Sequence, residues 1–327
     1  MEYDKPFKDY DDLIDLMVSR NLIVEDRSAA KKCLRDYGYY GLINGYKGVF
    51  IDNNDQFEHG TTMEMLVHFR QFDKDLQNIL FKYSVFIETK LKNTIAYAIS
   101  KEYGVDERIY LRSENYSESN RNRRLKEKTL SEIRKTLTSG YFPTKYYVEN
   151  HNHVPAWILL KNVSWNTCEN LYGILKPRMK RCVTEELLEL SVAKNVQNQL
   201  CGSALFYVRK FRNAIAHDER FVTLRIVDLG RSNYQIQYRW FNGAFRKHLL
   251  DGSKQNGDGV FAFVISLCTF LNAKQIAKLS DDIEHVLDNI TNDDESFLSN
   301  KIWRKYCSCS GIPIDLTLRL RRYLDAI

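Results

Sequence analysis

MEMLVHFRQFDKDLQNILFKYSVFIETKLKNTIAYAISKE (63–102) runs without a proline or a glycine. Its apolar residues Phe69, Phe72, Leu76, Ile79, Tyr83, Phe86, Leu91, Ile95 and Ala98 recur every three or four positions. That period is the one an α-helix needs to present a single apolar face. The spacing predicts one long helix, or two with a bend, and makes the chain mainly α. Glu88 sits at the margin of the stripe, where it reads either as a surface carboxylate or as a polar group that helps hold a neighbouring helix.

Working outward, DYDDLIDLMVSRNL (9–22) places Leu13, Leu16 and Met17 at helical spacing, and 27–36 predict a second short helix. The Tyr/Gly-rich DYGYYGLINGYKGVF that follows is expected to break the helical pattern, and the polar 50–62 to form a loop. Pro155-Ala156-Trp157 reads as a proline in the first turn of a helix. His151 and His153, just before it, have no third ligand at a telling spacing and belong to a loop. Helices are expected at 166–176 and 182–199. FVTLRIVDLG and SNYQIQYRWFNG are β-prone stretches separated by Gly230-Arg231, a hairpin signal. GVFAFVISLCTFL returns to buried helix, NDDESF (292–297) to a surface loop, and GIPIDLTLRLRRYL to a final helix. Three segments result: a helical and Tyr/Gly-rich 1–62, a helical domain 63–225, and a β-hairpin with further helices over 226–327.

GSALFYVRKFRNAIAHDERF (202–221) carries the chemistry. At 100° per residue with Leu205 at zero, Ala204, Val208, Phe211 and Ile215 share an arc of roughly 240° to 300° and face the core. Arg212 falls near 340°, Arg209 near 40°, Asn213 near 80°, His217 near 120° and Lys210 near 140°. Asn213 and His217, four apart, are close enough for the amide to bond the imidazole or a shared ligand. Arg212 and His217 lie about 140° apart, so they meet only if the guanidinium wraps round, the helix ends near His217, or a second subunit supplies one of them. Phe206 and Tyr207 read as core.

Cleavage of RNA by its own 2′-hydroxyl suits this strip. The nucleophile needs a base of near-neutral pKa, which histidine supplies. The phosphate needs positive charge as it becomes pentacoordinate, which arginine supplies as a planar, permanently charged fork. No metal or other cofactor is required. Arg209, Lys210 and Arg220 add cations for phosphate contacts, and Asp218 and Glu219 read as helix-end or hydrogen-bonding residues. The same strip serves equally a protein that grips and sequesters RNA without cutting it.

The chain's 327 residues carry a net charge of +6, which permits an RNA partner without demanding one. Residues 121–135 (RNRRLKEKTLSEIRK) are dense in cations and could steer a polyanion, or form a solvated helix face. No apolar run approaches the roughly 18 residues that span a bilayer, and the acidic, mixed start is unlike a secretory signal. A cytoplasmic location without a membrane partner is expected. Seven cysteines show no CxxC pair, and neither they nor Cys307 and Cys309 with His285 form a zinc pattern, so reduced thiols are expected.

Several blocks together resemble the AbiD/AbiF-type abortive-infection proteins of bacteria, in the HEPN superfamily. They are CLRDYGYYGLINGYKGVF, the long 69–100 segment, VPAWILLKNVSWNTCENLYGIL, RNAIAHDERF and the late GIPIDL. The resemblance implies a HEPN-like helical bundle over 63–225 and an anti-phage, toxin-like endoribonuclease. It implies Arg212 and His217 as the catalytic pair with Asn213 beside the arginine. It also implies a homodimer whose two R-x-x-x-x-H motifs form one cleft, with cellular or phage RNA as substrate, a small non-coding RNA as a potential regulator, and no DNA partner. Only one such motif occurs in this chain.

Overall fold

The computed structural model describes residues 5–117, 123–229, 235–253, 256–291 and 296–327, the side chains of 256 and 289–300 excepted. The fold is mainly α, 67% helical, with a single short strand pair among the described residues. Tyr10–Val18 (α1) starts at a reciprocal cap in which the Asp9 carboxylate accepts from the Asp12 N–H and the Asp12 carboxylate from the Asp9 N–H. Arg27–Tyr37 (α2) starts on Asp26, whose carboxylate accepts from the Ser28 and Ala29 N–H groups. The Tyr/Gly-rich stretch breaks α2 at Gly38, whose φ is 71°, as its composition suggests, but the chain does not stay irregular after it. It forms a π-helical turn at Tyr40–Asn44 and then Gly45–Phe50 (α3). The reason is burial: Leu42, Ile43, Tyr46, Val49 and Phe50 recur at helical spacing and all turn inward.

Met63–Tyr103 (α4) is one continuous helix, capped by the Thr62 hydroxyl and ended at Gly104, whose φ of 83° lies in the left-handed region that glycine tolerates. Its buried face is rotated slightly from the one the sequence suggests. Ile87 is fully buried while Phe86 stays 40% exposed, because Leu76, Leu80, Tyr83, Ile87, Leu91 and Ile95 form the stripe that meets the other helices. Glu107–Tyr110 (α5), Arg123–Thr136 (α6), Thr144–Asn150 (α7) and Ala156–Leu159 (α8) follow, the last starting at Pro155. His151 and His153 lie in the loop before α8.

Trp165–Ile174 (α9) and Pro177–Leu187 (α10) lead to Gln197–Ala216 (α11), so the single helix expected over 182–199 is broken at 188–196. There Leu188, Leu190 and Val192 point inward and Glu189, Ser191 and Ala193 outward, the two-residue alternation of extended chain. The Glu189 N–H donates to the Thr269 carbonyl, and the Lys90 ammonium donates to the Leu187 and Phe270 carbonyls beside it.

The hairpin is displaced too. Residues 221–229 form turns that bury Phe221, Val222, Leu224 and Ile226. Ile236–Gln237 (β1) pairs antiparallel with Asn256–Gly257 (β2) instead. Packing of Phe221 against Phe211 and Phe263 outweighs the β-propensity of its segment. The expected turn at Gly230-Arg231 lies outside the described residues. Val260–Cys268 (α12) is wholly buried, and Ala273–Thr291 (α13), Ser296–Ser310 (α14) and Leu316–Leu324 (α15) complete the chain. Of the expected 292–297 loop, 292–295 lie outside the described residues and Ser296 and Phe297 begin α14. One contiguous hydrophobic core runs from Ile14 to Tyr323. Helix α4 passes through it, packed on α10, α11, α13 and α14. No helix among the described residues is long and apolar enough to cross a membrane.

Candidate functional site

The apolar face of α11 is anchored as its spacing predicts, with Ala204, Leu205, Val208 and Phe211 buried. Phe211 stacks on Phe263 of α12 with centroids 5.1 Å apart. Arg209 is 9% exposed, and its Nε donates to the Glu169 carboxylate of α9 at 2.6 Å. That buried charge is thus paired, as burial requires, and braces α11 rather than facing solvent. The Lys210 ammonium donates to the Leu229 carbonyl at 2.9 Å.

Helix α11 ends at His217, the candidate histidine. Beyond it Asp218 takes a left-handed φ of 55°. The Asp218 N–H donates to the Ile215 carbonyl and the Glu219 N–H to the Ala214 carbonyl, which together satisfy the last helical carbonyls in a Schellman arrangement. An aspartate tolerates this conformation better than most residues. Its carboxylate also pairs with the Lys74 ammonium of α4, so the helix end is pinned to the long helix. His217 itself is left exposed, with its backbone N–H inside the helix end.

The imidazole lines a cleft of about 430 Å³ between the ends of α3, α4 and α11. Arg70, Lys74 and Arg220 line it with His217, and Asp218 and Glu219 are its only acidic residues. Arg70 lies over the Tyr37 ring at 4.4 Å, and Arg220 donates to the Gly45 carbonyl at 3.3 Å. Tyr40, 81% exposed, stands at the mouth. Behind the cleft Asp73 is fully buried. Its carboxylate accepts from the Tyr46 hydroxyl (2.8 Å), the Tyr306 hydroxyl (2.7 Å) and the Gln77 amide (2.9 Å). These bonds tie α3, α4 and α14 together directly under the cleft floor. Burial holds the Asp73 carboxyl above the usual carboxylate range, although Tyr306, Tyr46, Lys74 and Gln77 each pull it down.

Arg212 is not among the cleft residues. Its guanidinium donates to the Glu88 carboxylate of α4 at 3.2 Å and to the Asn213 side-chain oxygen at 3.1 Å, and lies 5.5 Å from the Phe81 ring centroid. The other Glu88 oxygen takes the Lys92 ammonium at 2.8 Å. Of the two readings of Glu88, the one realised is the contact with the motif helix. Asn213 gives its oxygen to Arg212 instead of to His217. Two of the five guanidinium N–H groups are thus engaged, and the Nε–H is buried without a partner among the described residues. Both motif residues thus lie against α4, Arg212 beside Phe81 and Glu88 and His217 in the cleft that Arg70 and Lys74 line.

The sequence reading places Arg212, Asn213, His217, Arg220, Glu88 and Asp218 in this region, and the structure sets His217, Asp218 and Arg220 in the cleft and joins Arg212 to Glu88 and Asn213. It misses Arg70, Lys74, Tyr40 and Asn44. The signal available was the i, i+4 pair of cations at 70 and 74 on the margin of an otherwise apolar helix. Nothing local links that pair to a histidine more than a hundred residues away. Among the described residues no three of His, Cys, Asp and Glu gather in a way that could hold a metal ion, and the seven cysteines are free thiols.

A family model described as Abi-like protein matches residues 32–223, from within α2 to just past His217, more than half of the chain. Neither a curated protein nor a solved structure is matched.

Proposed function

The chain belongs to the Abi-like protein family, the abortive-infection proteins, and from that premise we propose that it is an endoribonuclease of the HEPN type that cuts RNA through the substrate's own 2′-hydroxyl. One observation carries the reading: an exposed histidine at a helix end stands in a cleft with Arg70, Lys74 and Arg220. The three cations draw in the phosphate backbone. His217 takes the proton from the 2′-hydroxyl, whose oxygen attacks the adjacent phosphorus. The 5′-oxygen leaves with a proton returned by the same or a second imidazole. Arg212, oriented by Glu88 and Asn213, neutralises charge on the pentacoordinate phosphate.

The roughly 140° between Arg212 and His217 on the helix wheel, with a single motif in each chain, favours a complete centre that takes its arginine and its histidine from two copies of the chain. The cations that line the cleft serve equally a second reading, in which the protein binds and sequesters RNA, a small non-coding RNA included, without cutting. The deciding experiment is incubation of the purified protein with mixed cellular RNA in EDTA, with analysis of the new ends. The nuclease reading expects 2′,3′-cyclic phosphate and 5′-hydroxyl ends. Intact RNA that stays bound in a salt-sensitive complex sinks it in favour of sequestration. A cytoplasmic location fits either reading.

A further inference from the structure

The face of α11 that ends at His217 begins at a second cavity. Gln199, Ser203, Phe206, Lys210, Asn213 and His217 follow one another at alternating steps of four and three residues. On an α-helix they fall within roughly 80° of one another, a single stripe. Where the stripe starts lies a cavity of about 380 Å³ between α9, α11 and β1.

Its walls include the rings of Tyr172, Phe206 and Trp240, all of them almost wholly buried. Its polar lining is dominated by primary amides: Asn170, Asn198, Gln199, Gln235 and Gln237. The two charged groups that reach it are already engaged. Glu169 holds Arg209 at 2.6 Å. The Lys180 ammonium donates to the Gly173 carbonyl at 3.3 Å and lies over the Tyr172 ring. Leu125 brings the first turn of α6 to the rim, and with it the exposed cations Arg123, Arg124 and Lys128.

We propose that this cavity holds one unpaired nucleobase of a single-stranded RNA, whose phosphates lie against α6 and whose chain continues along the α11 stripe to His217; it rests on the RNA reading above. A nucleobase is flat and uncharged, with two apolar faces and an edge that both donates and accepts. Aromatic walls match the faces, and amides, which carry a donor and an acceptor each, match the edge. A cationic ligand would find the lining carboxylate, Glu169, already paired with Arg209. From Ser203 to His217 the helix rises roughly 21 Å, the reach of a short run of nucleotides. A base already paired in a duplex cannot enter.

Gly202 allows the cavity to be filled from within the helix. A Cβ there meets only the Tyr172 Cε1 at 3.8 Å, ordinary contact, so Gly202→Ala is tolerated and the branched end of Gly202→Leu projects onward into the cavity. Binding of labelled oligoadenylate, oligocytidylate and oligouridylate RNA is read by fluorescence anisotropy in a His217→Ala background, so that no strand is cut. Gly202→Leu is expected to weaken at least one of these strands about tenfold, with blunt duplex RNA unaffected and Gly202→Ala behaving as the parent. Gln199→Ala, on the exposed first turn of α11, should lower the same affinity several-fold without threatening the fold.

Unchanged strand affinity in both Gly202→Leu and Gln199→Ala overturns the proposal, as does an equal loss for duplex RNA. Adenosine or uridine monophosphate that binds and is lost in Gly202→Leu, with strand affinity unchanged, overturns it in favour of a free nucleotide. No binding of any RNA overturns it together with the RNA reading. A wild type that binds strands in this way but never cuts them ends the nuclease reading alone.

Discussion

Alanine at position 217 is expected to slow RNA cleavage by about two to four decades, the range that a positioned acid or base supplies. The fold should not change. The His217 side chain is exposed, its backbone N–H alone joins the helix end, and the Schellman bonds behind it come from Asp218 and Glu219. A single-turnover assay on a labelled RNA therefore reads the chemistry, and an unshifted thermal midpoint shows that nothing else was lost. An Arg212→Ala protein should lose cleavage as well, since the phosphate then lacks its planar cation. Mixing the two inactive proteins, dissociated and reassociated together, is the sharper arm. If each centre draws its arginine from one chain and its histidine from the other, a mixed dimer contains one intact centre, and activity rises well above that of either parent. A mixture as inactive as its components rules out a centre shared in this way. A His217→Ala protein that cuts at the parental rate removes the histidine from the mechanism altogether.

What could be read from the sequence follows the range of the interactions. Helix α4 is legible because its apolar residues repeat for eleven turns with no competing proline or glycine. The buried arc of α11 is legible for the same reason. Stretches decided by tertiary packing are misread. Residues 36–50 look like a break by their glycines and tyrosines, and α2 does end at Gly38, yet Leu42, Ile43, Tyr46 and Phe50 have a core to enter and the chain turns helical again from Tyr40. Residues 221–229 look like a strand, yet Phe221 is drawn into the aromatic cluster with Phe211 and Phe263 and the strand never forms. The motif residues themselves are visible in the sequence, whereas what surrounds them is not. Glu88 reaches Arg212 across 124 positions, and the Tyr306 hydroxyl reaches Asp73 across 233. No local pattern encodes such pairs.

That last pair underlies the second large effect. Asp73→Ala is expected to destabilise the protein by about 3–5 kcal/mol, the range of a broken buried hydrogen-bond network. The hydroxyls of Tyr46 and Tyr306 and the amide of Gln77 would each lose their acceptor inside the core, at about 1–3 kcal/mol for an unsatisfied group where the site does not relax. All three residues are almost wholly buried, so water cannot easily replace the carboxylate. Because Tyr46 and Lys74 line the cleft on either side of Asp73, this loss should also loosen the wall opposite His217. Asp73→Asn keeps the volume and one oxygen acceptor and should lose much less. It also isolates the titration. Burial raises the Asp73 carboxyl in the folded state, whereas in the unfolded chain it titrates near 3.9. Between the two values the folded protein holds a proton that the unfolded chain has released. The resulting stability is full below about pH 4 and is lost as pH rises through the folded-state value. The wild type should therefore lose stability relative to Asp73→Asn over that rise, measured by urea unfolding at a series of pH values. A difference that does not vary with pH would mean that Asp73 titrates alike in both states, and an Asp73→Ala protein that melts with the wild type would remove the network from the account of how the cleft is held.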